Sequence, residues 1–145
     1  MKYFLRALLV FGFILSLFFS RANACSCSEI TALDMLNFEF NKYIFIGIVT
    51  SAKLMKHEGA YSYVVADVEV EERFKGLADE RKFNVSTNLS DSSCGGTISV
   101  GARYIFVTDA RGFFTFCTSM SIEPRNIDEK TRVYIKDFRD LANLK

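Results

Sequence analysis

Alternation is the strongest signal along the chain. In residues 61–74, Val64, Ala66, Val68 and Val70 alternate with Asp67, Glu69 and Glu71, the period-two pattern of a strand with one face buried and the other in water. Residues 43–51 (Tyr-Ile-Phe-Ile-Gly-Ile-Val-Thr-Ser) are β-branched or aromatic almost throughout and predict a strand. Gly47 inside that run predicts a bulge or sharp bend. The polar stretch 53–59 predicts the hairpin loop between the two. A turn at Lys75-Gly76 leads to a third strand over 82–87, and 88–96 is a Ser/Asp/Gly loop. Residues 103–108 and 112–117 predict strands four and five, joined by a tight turn over 109–112. Two segments carry helical spacing instead. Residues 29–42 place Ile30, Leu33, Leu36 and Phe40 on one face. After Pro124, residues 128–144 carry Val133, Phe138 and Leu141, with Asp128 as N-cap. Five short strands with helices at the edges predict a mainly β chain whose sheet closes into a small barrel, which would remove the exposed edges. A β-sandwich is the alternative, but seven strands are hard to find.

Residues 1–24 read differently from the rest. A basic start (Lys2, Arg6) precedes an apolar run over 7–19, then Ser20-Arg21 and the small-x-small pattern Ala22-Asn23-Ala24. Thirteen residues is signal-peptide length and short of the ~20 that span a bilayer. The expected division is therefore a signal peptide, 1–24, and one domain, 25–145, starting at Cys25 and without a transmembrane segment. An uncleaved anchor helix is the alternative. Lipid attachment at Cys25 is a further one, although Ala22 stands where a lipoprotein signal prefers an aliphatic residue. Removing the leader changes the charge: residues 25–145 hold 15 basic and 17 acidic side chains, net −2, against +1 for all 145 residues. Export and a mildly acidic domain without a basic block argue against a nucleic-acid partner.

All four cysteines, Cys25, Cys27, Cys94 and Cys117, lie in the exported part. An even count in an oxidising compartment predicts two disulfides. Cys25 with Cys27 would close a ring across one residue with poor geometry, so each reaches across the fold, to Cys94 or Cys117. Either arrangement closes loops of roughly 70 to 90 residues, for which loop entropy gives about 4 to 5 kcal/mol per bond at most. A four-cysteine zinc site lacks its usual C-x₂₋₄-C spacing.

These residues have a family likeness. Cys25-Ser26-Cys27 at the expected mature start, the Phe45-Ile46-Gly47-x-Val49 strand, Phe74-Lys75-Gly76, Ser93-Cys94-Gly95, Val100-Gly101-x-Arg103-Tyr104 and the late Cys117 resemble the tissue inhibitors of metalloproteinases and the wider netrin-like group. The match runs over residues 25–120 and looks most like the short, single-domain bacterial members. The resemblance implies a five-stranded OB-type barrel with flanking N-terminal and C-terminal helices, and pairing of Cys25 with Cys94 and Cys27 with Cys117. A third disulfide, a C-terminal domain and a Pro pair after the Cys-x-Cys start, all features of the animal inhibitors, are missing here.

The resemblance also implies a chemistry. An α-amine and the carbonyl of the same residue form a five-membered chelate, and the amine titrates near pH 7.7–8.0, so a metal can displace its proton. A catalytic zinc keeps one open position, filled by water. In the family the N-terminal Cys occupies it and expels that water, while the next side chain enters the specificity pocket. Carried over, Cys25 would ligate the zinc of a target protease in trans and Ser26 would probe the pocket. Cys27 and Cys94 would clamp the terminus, with Ser93, Cys94 and Gly95 as the adjoining part of the wedge. The partner would be a zinc metalloproteinase; the protein would need no cofactor of its own. The competing expectation is a non-inhibitory netrin-like binding or adhesion module, with another extracellular protein as partner. Ser26 is small and polar for an apolar pocket, and Cys25 would then be structural only.

An enzyme fits less well. His57, the one histidine, falls in the polar 53–59 loop, and oxidised cysteines provide no thiolate to pair with it. Glu69, Glu71 and Glu72 read as the solvated face and end of a strand. Phe113-Phe114-x-Phe116 reads as core plus one surface ring. Asn84-Val-Ser86 and Asn88-Leu-Ser90 are acceptor sequons that only a eukaryotic secretory route would glycosylate.

Overall fold

Thr31 starts the first helix. Its hydroxyl accepts from the Asp34 backbone N–H (3.1 Å) while the Asp34 carboxylate accepts from the Thr31 N–H (3.1 Å), a reciprocal box that satisfies two otherwise orphaned donors. In the computed structural model, which describes residues 25–56, 62–89, 94–122 and 127–143, helix α1 is Ala32–Asn37. This is shorter than the predicted 29–42. Phe38 is already extended, and the last carbonyls are taken by side chains: Asn41 Nδ2 donates to Met35 O (3.0 Å) and Lys75 Nζ to Leu36 O (2.6 Å). The buried face is consequently Ala32, Met35 and Leu36, while Leu33 and Phe40, expected inside, face water.

The strands are β1 (Tyr43–Met55), β2 (Tyr63–Lys75), β3 (Lys82–Asn88), β4 (Arg103–Thr108) and β5 (Ser119–Ile122), in one antiparallel sheet of order β3-β2-β1-β4-β5. The β1–β2 ladder runs from Ile44↔Lys75 to Met55↔Tyr63, so residues 53–55, expected in the hairpin loop, are strand. Its register slips at three points, one of them between Ile46 and Gly47. A Cβ on Gly47 would lie 2.4 Å from Val68 Cγ1 and 2.7 Å from Glu69 O, which is why this irregularity carries a glycine.

Strand β1 is central and its first half is buried on both faces, which explains its unbroken apolar run. One face joins Ile44, Ile46, Ile105 and Val107 to Met35, Phe74 and Phe138. The other joins Phe45, Val49, Val68, Val85 and Phe106 to Phe114. Strand β2 alternates as its sequence predicts, with Ala66, Val68 and Val70 buried and Asp67, Glu69 and Glu71 exposed.

Two expectations about the edges of the sheet are also corrected. The fifth strand is Ser119–Ile122, paired with β4 from Arg103↔Ile122 to Phe106↔Ser119, and not 112–117. The Asp109 carboxylate accepts from the N–H groups of Arg111 (2.8 Å) and Phe113 (2.9 Å), and this turn aims Gly112–Phe114 away from β4 toward β3. There the N–H of Ser86 donates to Gly112 O and that of Phe114 to Ser86 O, both at 2.9 Å. The second correction concerns closure. That single parallel bridge, Ser86↔Phe113, is the contact made there between the two ends of the sheet, and no ladder joins β3 to β5. The sheet is open.

Helix α2 (Glu129–Ala142) lies within the predicted 128–144. Thr131, Tyr134 and Phe138 form its buried face; Phe138 is fully buried and its ring stacks on Phe74, centroids 5.2 Å apart. Val133 points outward instead. Asp128 caps the helix as expected, accepting from the Thr131 N–H (2.7 Å) and hydroxyl (2.8 Å). These bonds, the backbone one foremost, hold its carboxyl below the usual Asp value. A depressed native pKa means that the stabilisation is complete above the unfolded value near 4 and is lost as the pH falls through the native one. Asp128→Ala is therefore expected to cost about 1 kcal/mol at neutral pH, with the deficit shrinking in acid. Urea unfolding of both proteins across pH checks this; a deficit unchanged down to about pH 2 would count against it.

Candidate functional site

The four half-cystines pair across the fold. Cys25 is bonded to Cys94 and Cys27 to Cys117, with Cα–Cα distances of 5.6 and 5.5 Å. This is the pairing that the family likeness implies, one of the two left open by spacing. Between the two bonds, Ser26 is exposed. Three residues beyond Cys27, the carbonyl of Ile30 accepts a hydrogen bond from the Tyr134 hydroxyl of α2. Residues 25–30 are thus held at Cys25, Cys27 and Ile30, by three different parts of the fold.

The receiving side is equally constrained. Cys94 has φ +55°, a left-handed conformation that costs a non-glycine residue about 1–3 kcal/mol and persists only when its surroundings enforce it. Here its side chain is bonded to Cys25 and its carbonyl accepts from Phe116 N–H (3.0 Å). Two residues on, Gly96 N–H donates to the buried Thr87 hydroxyl of β3 (2.6 Å). A Cβ on Gly96 would lie 2.3 Å from the Phe114 ring, so the loop sits directly on the core. Cys117 belongs to a 3₁₀ turn, Phe116–Thr118, closed by Thr118 N–H to Thr115 O (3.0 Å) and Thr115 N–H to Thr118 Oγ1 (2.9 Å).

The structure therefore brings Cys25, Ser26 and Cys27 beside Cys94 and Gly95. Ser93, the remaining wedge residue, and His57 lie outside the described residues, as does the leader 1–24. Of the aromatic run, Phe114 is buried, Phe113 half-buried and Phe116 exposed. Glu71 and Glu72 are engaged in ion pairs: Arg103 Nε lies 2.7 Å from Glu71, and Arg139 makes two 2.8 Å bonds to Glu72. The Glu72 bonds raise the pKa of Arg139. Asn84, a sequon residue, donates from Nδ2 to Asp67 (2.6 Å).

Three anchors of this region went unread in the sequence: Tyr134 to Ile30, Thr87 to Gly96, and Phe116 to Cys94. Only the first leaves a trace, since Thr131, Tyr134 and Phe138 share one helical face. The others join irregular loop residues, which carry no periodicity to read. Among the described residues no group of three or more His, Cys, Asp or Glu is arranged to hold a metal ion, and no helix is long and apolar enough to cross a membrane. All four cysteines are oxidised, so none provides a thiolate. What the arrangement offers is a short exposed segment on a rigid mount. A scan against protein-family models finds no match for the chain, and a search of curated proteins finds no relative.

Proposed function

We propose that the protein is exported, is cut after Ala24, and acts as a metalloproteinase inhibitor of the kind formed by the tissue inhibitors. Cys25 would present its α-amine and carbonyl to the catalytic zinc of a protease, and Ser26 its side chain to the neighbouring pocket. The observation that carries this reading is the double tether, in which Ser26 is exposed between two half-cystines, each bonded across the fold. A pre-ordered segment loses little conformational entropy on binding, which an inserted terminus requires. The strand order supports an OB-type arrangement of the open sheet in the same proposal. Barrels of that type are partly open, and the parallel bridge at Ser86 lies where β3 would close against the chain leading into β5.

A binding module without inhibitory activity is the second reading. It is favoured by the small polar side chain of Ser26 and by the exposed pair Phe38 and Phe40, ring centroids 5.6 Å apart, which lies outside the tethered segment. Intact mass and enzyme assay separate the two. The inhibitor is expected to start at Cys25, to lack four protons for its two disulfides, to carry no acyl chain, and to inhibit at least one zinc endopeptidase of a broad panel stoichiometrically. An acylated Cys25 amine, or no inhibition of any enzyme, would leave the binding module standing.

A further inference from the structure

An apolar groove of about 350 Å³ lies between residues 29–32 and helix α2. Ile30, Val133 and Tyr134 give it apolar walls. Val133, the helical residue expected to face the core, is 47% exposed here. The charged side chains around the groove are Glu29, Glu129 and Asp137 against Lys130 alone. Arg132 approaches Glu129 only to 3.9 Å, with both side chains largely in water, so the margin stays acidic.

The groove begins where the tethered segment ends. Glu29 stands three residues from Ser26, so their Cα atoms are at most about 11 Å apart. A stable protein–protein contact covers about 800 Å² on each partner, a patch reaching roughly 16 Å from its centre. A patch centred on Ser26 therefore extends to Glu29 and the mouth of the groove. The segment itself has little to bury, since residues 26–29 are Ser, Cys, Ser and Glu. Tight interfaces draw most of their energy from a few buried anchors, Arg prominent among them. An anchor from the partner, entering a recess on this chain, supplies what the segment lacks. Apolar walls under an acidic margin suit an Arg or Lys side chain, whose aliphatic stem packs on the walls while its head stays among the carboxylates.

We infer that this groove is a second contact of the proposed inhibitor and takes a basic side chain from the rim of the protease's cleft. The inference rests on the inhibitor reading above and adds a selectivity to it. Proteases with Arg or Lys at that place on the rim are preferred over those with an acidic residue there. The carboxylates lie at the edge of the contact, so they act chiefly on the rate of association, and salt weakens their effect.

Inhibition kinetics on the zinc endopeptidase that the wild type inhibits best, at low and high salt, test this. Glu129→Gln combined with Asp137→Asn is expected to slow association by roughly tenfold at low salt and to flatten its salt dependence. Val133→Arg, which puts a cation into the groove, is expected to weaken inhibition further, and Lys130→Gln to strengthen it. Glu129, Lys130 and Val133 are exposed and Asp137 half-buried, and urea unfolding shows whether each variant is folded. If the double variant is not, Val133→Arg and Lys130→Gln carry the test. Folded variants that inhibit as the wild type does, while one Ala added ahead of Cys25 abolishes inhibition, overturn the groove contact and leave the terminal chelate standing. Weakened inhibition by the groove variants, with full inhibition by the extended protein, does the reverse. A wild type that inhibits no enzyme overturns both.

Discussion

One alanine added ahead of Cys25 is expected to weaken the proposed inhibition by on the order of 10³-fold, which corresponds to about 4 kcal/mol. The extension turns an amine with an available lone pair into an amide without one, so the five-membered chelate cannot form. It also adds bulk at the position a zinc-bound water would occupy. Neither change touches the mount: both disulfides, the Ile30–Tyr134 bond and the Gly96–Thr87 bond lie downstream. The extended protein should therefore unfold at the same urea concentration as the native one while its inhibition constant rises. Equal inhibition by both would refute the terminal chelate as the mechanism, whatever other contact the protease made.

Removing the disulfides is expected to have the larger effect on stability. The Cys27–Cys117 bond spans 90 residues and the Cys25–Cys94 bond 69. Loop entropy gives each about 4 to 5 kcal/mol as an upper figure, against a total of about 5–15 kcal/mol for a typical domain. Cys27→Ser with Cys117→Ser should lower the urea midpoint sharply, and the chain with all four cysteines replaced should be unfolded in water. Cys25→Ser with Cys94→Ser should differ in kind. It releases Cys94 from its left-handed conformation, which returns part of the loss, yet it frees the segment that the proposed inhibition requires. Inhibition should therefore fall further than stability in that variant. A loss below about 1 kcal/mol for either pair would show that the unfolded chain is already restricted.

Local pattern made most of the fold legible. The alternation of Val64 to Glu71, the run from Tyr43 to Ser51 and the Asp128 cap each depend on near neighbours, and each appears where its pattern puts it. What failed depended on distance. Leu33 and Phe40 share a helical stripe with Leu36, but the helix buries its Ala32, Met35 and Leu36 face and leaves Leu33 outside, and it ends at Asn37, before Phe40. Residues 112–117 have strand composition, yet the Asp109 turn sends them to β3 and leaves the β4 edge to Ser119–Ile122. At the candidate site, cysteine count gave two bonds and the one-residue spacing excluded Cys25–Cys27. The choice between the remaining pairings came from family likeness, because nothing local distinguishes Cys94 from Cys117 as a partner.

The hydrogen bond from Tyr134 to Ile30 joins residues 104 apart. During synthesis the chain emerges from its N-terminal side, so residues 25–30 arrive long before what will hold them. The β1–β2–β3 meander needs only neighbours and can assemble first. Cys25 must wait for Cys94, Cys27 for Cys117, and Ile30 for the helix that ends the described chain. The segment on which the proposed inhibition depends is thus the first of the described residues to be made and the last to become rigid. A protein ordered this way acquires its activity only on completion, and long-range closure of this kind sets a slow folding rate.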